Sequence, residues 1–158
     1  MEDTGGGKTC KTNHPVGTKY SSESLEDWVG ECHVDGYRFD LGSVLSRGPG
    51  GAPMDVPPVL WNIELSRVLS ETKVIAEAWD AGGLYQVGRF PGKRWCEWNG
   101  PYRDDIRRFL RGEPGIIGAV ATRLAGSEAP FGPAAWNPDT HTHLTPPTRA
   151  HTTHPLAP

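Results

Sequence analysis

Two short apolar runs, each ending at an acidic residue and separated by a helical pattern, constrain the fold of this chain most. The first covers residues 32–40, overlaps HVDGYRFDLGS (33–43) and ends at Asp40. The second covers 74–76 and ends at Glu77. Strands that alternate with helices pair in parallel through crossover connections, and apolar residues on both faces are typical of a strand covered on both sides. The sequence therefore predicts an α/β fold with a parallel sheet.

Helical patterns surround both runs. Pro15 and apolar residues on one helical face predict a helix over 15–30, and Asp55 followed by two prolines predicts a second over 55–70. The segment DDIRRFLRG predicts a third helix with its acidic residues in the first turn, whereas 78–102 shows no clear period. This order fits a (β/α) barrel or a doubly wound sheet. A closed barrel needs eight units and ~250 residues, so this chain is too short to close a barrel by itself.

The composition argues against several classes of partner. With 16 Lys and Arg against 19 Asp and Glu, the net charge of −3 disfavours nucleic acid or an anionic membrane as the main partner. No stretch approaches the ~18 apolar residues of a membrane helix, and the first residues show neither a signal-peptide nor a transit-peptide pattern. Three cysteines without metal-ligand spacing favour a reducing compartment, and no pattern requires a metal or another cofactor.

The composition also predicts where the folded region ends. Residues 129–158 hold seven of the 15 prolines and four of the 6 histidines, without a helical or strand period. We predict a disordered Pro/Thr/His-rich tail, whose histidines lack the partners of a metal site. The predicted organisation is an N-terminal loop over 1–12, a partial barrel over 13–128 and the tail over 129–158.

The two acidic residues also indicate chemistry. If the runs are neighbouring parallel strands, their ends lie ~4.8 Å apart, so Asp40 and Glu77 can face each other at the edge where α/β folds place their sites. Two carboxyl groups ~5–5.5 Å apart are what a retaining glycosidase uses. Arg38 shares the strand face of Asp40 and can orient it. A structural salt bridge, or acids that merely begin a loop, would produce the same pattern.

Aromatic residues are concentrated in the long segment 78–102. Flat rings pack on the apolar faces of sugars, so Trp79, Tyr85 and Trp98 are candidate substrate contacts. The same rings would equally serve to attach a long loop to the fold.

Four ordered motifs resemble the α-amylase superfamily and, within it, isoamylase-type starch debranching enzymes. HVDGYRFDLGSVLSRG is similar to the nucleophile-strand motif and KVIAEAWDAGGLYQVGRFP to the acid/base-strand motif, with Ala78 where proline is usual. RWCEWNGPYRDDIRRFLRG resembles the following segment of plant and algal isoamylases, and GGGKTCKTNHPV resembles a Gly-rich loop. The resemblance implies Asp40 as nucleophile, Glu77 as general acid/base and Arg38 as the arginine beside the nucleophile. It makes His33, which opens the first motif, a substrate-binding candidate with the three aromatic residues.

The resemblance also implies a fold and a function. It predicts a fragment of a TIM (β/α)8 barrel and retaining hydrolysis of α-1,6 branch points in amylopectin or glycogen, without a cofactor. Isoamylase subunits are possible partners, and the location would be the plastid stroma in a plant or alga and otherwise the cytoplasm. A third carboxylate, expected after residue 128, has no counterpart in the tail. We therefore expect the isolated chain to be inactive. A truncated gene product and an incomplete gene model would both explain why the third carboxylate is missing. The alternative is a non-catalytic protein that binds glucan or an isoamylase subunit.

Overall fold

Three parallel strands form the centre of the structure. The computed structural model describes residues 10–127 and 144–145. Strand β1 (Gly36–Phe39) pairs with β2 (Lys73–Ala76), and β2 pairs with β3 (Cys96–Trp98). The two-residue strand β4 (Leu144–Thr145) runs antiparallel to β3. The predicted α/β class and the parallel pairing of the first two strands are confirmed, and the described strands form an open sheet, as in part of a barrel.

Helices precede and connect these strands. The described residues contain α1 (Pro15–Cys32), α2 (Pro58–Leu65), α3 (Gly100–Leu110) and α4 (Ile117–Leu124), with 3₁₀ helices at Gly42–Ser46 and Pro49–Gly51. Apart from Leu144–Thr145, the predicted tail lies outside the described residues, as does most of the predicted N-terminal loop. None of the helices within 10–127 is long and apolar enough to cross a membrane.

Local sequence determines both ends of α1. Pro15 occupies the first turn, where its missing N–H costs nothing, and the side chain of His14 accepts a hydrogen bond from the Val16 N–H at 3.4 Å. At the other end, His33 takes the left-handed conformation (φ 55°) and donates its N–H to the Val29 carbonyl at 3.1 Å. The helix thus begins as predicted and ends two residues later than predicted.

The hydrophobic core lies on one face of the sheet, against α1 and α2. Tyr37 and Phe39 of β1 pack on this core, whereas the neighbouring Gly36 and Arg38 are exposed. Within the described residues β1 is therefore covered on one face rather than on both. The run over 32–40 predicted a strand with apolar residues on both faces because it includes Val34. That residue lies before β1 begins. The central buried side chains are Val59, Leu60, Ile63, Leu69, Val74 and Ala76.

Helix α2 is shorter than predicted at both ends, and a distant arginine binds carbonyls in its last turn and in the segment that follows it. It stops at Leu65, and the next residue is extended. The guanidinium of Arg94 donates to the carbonyls of Ile63 (3.0 Å) and Thr72 (2.9 Å), and also to that of Leu69. Helix ends leave carbonyls without partners. Here a side chain from the β2–β3 connection supplies the partner, which no pattern in 55–70 reveals.

The segment without a clear period contains β3 and the start of α3. The Asn99 side chain caps α3 by accepting a hydrogen bond from the Tyr102 N–H at 2.9 Å, so the helix begins four residues before the predicted Asp104. The prediction that acidic residues occupy its first turn is therefore wrong. The unpredicted helix α4 packs on α3, and Arg123 donates to Asp105 at 2.8 Å across the two helices.

Candidate active site

Asp40 and Glu77 lie side by side at the carboxyl edge of the sheet. Phe39 is aligned with Ala76 in the parallel ladder, and the Glu77 N–H donates to the Phe39 carbonyl at 3.0 Å. The two acidic residues therefore leave neighbouring strands at the same level. Since side chains alternate along a strand, both belong to the face opposite the core. The expected neighbourhood of the two strands is confirmed, while the catalytic roles of the acids stay predictions.

Arg38 bridges the two carboxylates. Its Nη1 lies 2.9 Å from Asp40 Oδ1, and its Nη2 lies 2.5 Å from Glu77 Oε1. One guanidinium therefore contacts both carboxylates at the same edge of the sheet. The Asp40 side chain is 71% exposed and that of Glu77 11%. One acid is thus open to a ligand and the other is enclosed.

Trp98 covers the same guanidinium. The Arg38 Cζ lies 4.1 Å from the centre of the Trp98 ring, within the range of a cation–π contact. Trp98 ends β3, one strand beyond Glu77. The structure therefore brings this predicted substrate contact to the carboxylates, where it also restricts the orientation of Arg38.

A strained residue holds Glu77 from the other side. Leu41 has φ 46°, a left-handed conformation that a non-glycine residue adopts at an energetic cost. In this conformation its N–H donates to Glu77 Oε2 at 3.0 Å. Both oxygens of Glu77 therefore have a donor, Arg38 on one and Leu41 on the other.

Trp79 and Tyr85 form an aromatic pair on the loop that follows β2. Their ring planes differ by 13° and their centres are 6.3 Å apart, and the two residues make an isolated antiparallel bridge. Arg103 lies 5.8 Å from the Trp79 ring. Burial first, and then the charge of Asp104, raise the pKa of the Tyr85 hydroxyl.

His33 does not join the other predicted site residues. It ends α1 and precedes β1, so it lies at the amino end of the strand whose carboxyl end carries Asp40. The whole of β1, four residues and about 13 Å long, lies between the two. We therefore leave His33 out of the site, because the helix end determines its position.

Sequence reasoning missed an ion pair that joins the loops after β1 and β2. Arg47 Nε donates to Asp80 Oδ2 at 2.6 Å and its Nη2 to Oδ1 at 3.1 Å, while the Leu84 N–H donates to Oδ1 at 3.0 Å. Burial acts to raise the pKa of Asp80, but the hydrogen bonds from Arg47 and the backbone outweigh it and lower that pKa. The only sequence signal was an acid soon after a buried strand.

Glu97 is a second missed carboxyl group. It is 8% exposed in β3 and accepts hydrogen bonds from the N–H groups of Gly88 (2.6 Å) and Phe90 (3.3 Å). Burial, only partly offset by these bonds, raises its pKa to about 7. Glu97 thereby anchors the loop that carries Tyr85. An acid between aromatic neighbours in WCEW was the available signal.

The comparisons with known proteins decide the relationship. No family model matches the chain. It is 57% identical over 125 residues to Isoamylase 3, chloroplastic, of Oryza sativa subsp. japonica, covering 78% of this chain and 16% of the relative. It is 44% identical over 144 residues to Isoamylase SU1, chloroplastic, of Zea mays, covering 78% and 18%. A Glycogen debranching enzyme of Serratia proteamaculans (strain 568) is 49% identical over 134 residues, covering 83% and 20%.

The chain is related to isoamylase-type debranching enzymes. It spans about a sixth to a fifth of the length of these curated relatives. The resemblance seen in the sequence is thus confirmed over most of the chain. Within the part of the chain that the structure describes, no group of three or more His, Cys, Asp or Glu residues could hold a metal ion. The structure brings Arg38, Asp40, Glu77 and Trp98 together at one edge of the sheet, with Trp79 and Tyr85 on the loop that follows β2.

Proposed function

We propose that Asp40 and Glu77 are the nucleophile and the general acid/base of a retaining hydrolase for α-1,6 branch points in glucans. The observation that carries this proposal is the bridge of Arg38 to both carboxylates at the ends of neighbouring parallel strands. The identity to isoamylases and to a glycogen debranching enzyme supports the substrate class.

The two acids differ in exposure as the two roles require. The open Asp40 carboxylate attacks the anomeric carbon of the branch while Glu77 gives a proton to the glycosidic oxygen. The C–O bond breaks, the main chain leaves with its C6 hydroxyl, and the branch stays bound to Asp40 as a glycosyl ester. Water then gives a proton to Glu77 and attacks the same carbon, which releases Asp40 and restores the original configuration. The Asp40 side chain, 71% exposed, is the group open to an incoming sugar, so we assign the proton transfers to the enclosed Glu77, 11% exposed.

Arg38 must move away from Glu77 before this proton transfer. The Glu77 oxygens contact Arg38 at 2.5 Å and the Leu41 N–H at 3.0 Å, so each oxygen is already occupied by a hydrogen-bond donor. A glucan hydroxyl that enters between Arg38 and Glu77 would leave the guanidinium on Asp40, the group that must stay ionised. Trp98, which lies against the guanidinium, limits the directions in which Arg38 can turn.

The proposed substrates are branched α-glucans such as amylopectin and glycogen. Isoamylase subunits are proposed partners because the chain is 57% and 44% identical to two isoamylases. The plant relatives are named chloroplastic, and we propose the plastid stroma for a plant or algal source and the cytoplasm otherwise.

A reducing-end assay on amylopectin and glycogen tests the proposal, with the 158-residue chain and its Asp40→Asn and Glu77→Gln variants. Turnover by the wild type that falls at least about a hundredfold in either variant would support it. The same assay tests the expectation that the isolated chain is inactive. If no turnover is seen, the equivalent substitutions in the rice relative test the roles, and more than a tenth of the activity remaining there would refute them.

A second candidate function is glucan binding without cleavage. The closed arrangement of Glu77, with a donor on each oxygen, favours this alternative because the proton donor is occupied. Sedimentation of the chain with amylopectin, without release of reducing ends, would support it. If the folded chain neither binds nor cleaves glucan, both candidates are wrong.

A further inference from the structure

A cavity beside the carboxylates combines aromatic rings with a charged pair. It has a volume of about 320 Å³ and opens between the loop after β2 and the start of α3. Ligand clefts usually measure ~300–1,000 Å³, so this one suits a single small ring. Its relevant lining residues are Trp79, Gly83, Tyr85, Gly100, Arg103 and Asp104.

The aromatic wall of this cavity is a layered pair rather than a single ring. Tyr85 is 56% exposed, and Trp79 lies nearly parallel to it with a ring-centre distance of 6.3 Å. A Cβ on Gly100 would lie 3.3 Å from the Tyr85 hydroxyl and 3.6 Å from Trp79, so the absence of a side chain there lets both rings approach α3. Tyr85 therefore offers an exposed, supported face of the kind on which the apolar side of a sugar ring packs.

The charged wall supplies fixed donors and acceptors. Arg103 Nε lies 2.7 Å from Asp104 Oδ1 and its Nη2 3.1 Å from Oδ2, a bidentate pair that leaves both groups partly exposed. The hydrogen bond to Asp104 is the first cause of the raised pKa of Arg103, and the charge of Glu77 adds to it. Trp79, which lines the same cavity, lies two residues after Glu77, so the cavity lies next to the strand end that carries this carboxylate. A guanidinium and a carboxylate held in one plane present donors and acceptors to neighbouring hydroxyl groups.

We propose that Tyr85, Arg103 and Asp104 bind one glucosyl residue of the glucan, beside the bond that is cleaved. The sugar packs on the exposed Tyr85 ring, beside the nearly parallel ring of Trp79, and two adjacent hydroxyls bond to Arg103 and Asp104. This inference rests on the proposed glucan substrate and assigns binding roles to Arg103 and Asp104, two residues that the motifs did not single out.

Titration calorimetry with maltohexaose, and electrophoresis in gels that contain amylopectin, would test this subsite in the full chain. All proteins carry Glu77→Gln so that cleavage does not interfere. We expect Arg103→Ala and Tyr85→Ala to weaken binding at least tenfold. The matched control is Arg111→Ala, which removes another exposed arginine near the end of the same helix and should change affinity less than twofold.

The outcomes separate this inference from the proposed function. If the parent protein binds amylopectin and the folded Arg103→Ala variant binds equally well, the subsite is wrong and the glucan substrate stands. If the folded parent protein binds no glucan, both fail. Should Arg103→Ala not fold by circular dichroism, Arg103→Lys keeps the charge without the bidentate geometry. Unchanged affinity of that variant would refute the subsite, and weaker binding would support it.

Discussion

Raising the pH from 5 to 8 should weaken the fold through Glu97. Burial raises the pKa of this carboxyl to about 7 from its ordinary 4.5, against the opposing effect of two backbone N–H groups. The folded state therefore binds the proton more tightly than the unfolded state does. Glu97 imposes no penalty below about pH 4.5, a growing penalty as the pH rises to about 7, and a constant penalty above it.

The size of this effect follows from the two pKa values. The interval from 4.5 to about 7 corresponds to roughly 3 kcal/mol, of which roughly 2–3 kcal/mol falls between pH 5 and 8. Solvent screening reduces it little, because Glu97 is 8% exposed. Domains are stable by only ~5–15 kcal/mol, so a loss of this size is measurable.

Urea unfolding followed by circular dichroism at several pH values between 5 and 8 would measure it. Glu97→Gln is neutral throughout and keeps one acceptor for the loop, so the stability of the wild type relative to this variant should fall by roughly 2–3 kcal/mol across the range. Glu113→Gln is the control, since Glu113 is on the surface and Arg108 hydrogen-bonds to it and lowers its pKa. Parallel pH profiles of the wild type and Glu97→Gln would refute the reasoning.

Three further predictions concern the contacts around the site. In a double-mutant cycle of Arg38→Ala and Trp98→Ala, urea unfolding should give a coupling energy of about 0.5–1 kcal/mol, and strictly additive effects would mean that the ring does not hold the guanidinium. Asp80→Ala should lower the free energy of unfolding by roughly 3–5 kcal/mol because it leaves the largely enclosed Arg47 without this carboxylate, and a loss below about 1 kcal/mol would contradict that reasoning. Burial raises the pKa of the Cys96 thiol, so iodoacetamide at pH 8 should modify the exposed Cys10 and Cys32 before Cys96. Mass spectrometry would measure the three rates, and equal rates would argue against the burial of Cys96.

Of the contacts that Arg38 makes, the sequence predicted one and the structure revealed two more. The two-residue spacing placed it on the face of Asp40, and the ion pair at 2.9 Å agrees with that expectation. Its second contact, with Glu77, joins residues 39 positions apart and required the actual register of β1 and β2. The covering ring of Trp98 comes from a three-residue strand with too few residues to show a period.

The sequence alone determined the α/β class, the helix start at Pro15 and the position of two acids at the ends of parallel strands. These features depend on local preferences: apolar periodicity, the fixed φ of proline and the alternation of side chains along a strand. Only the tertiary structure decided where α2 stops, which loops Asp80 joins and what anchors the aromatic segment. Each of those features depends on a hydrogen bond between residues far apart in the sequence. Arg94 binds the carbonyl of Leu69, 25 residues away, and Arg47 binds the carboxylate of Asp80, 33 residues away. A buried polar group must form hydrogen bonds with whichever group the fold places next to it. A local sequence pattern does not reveal which distant residue that is.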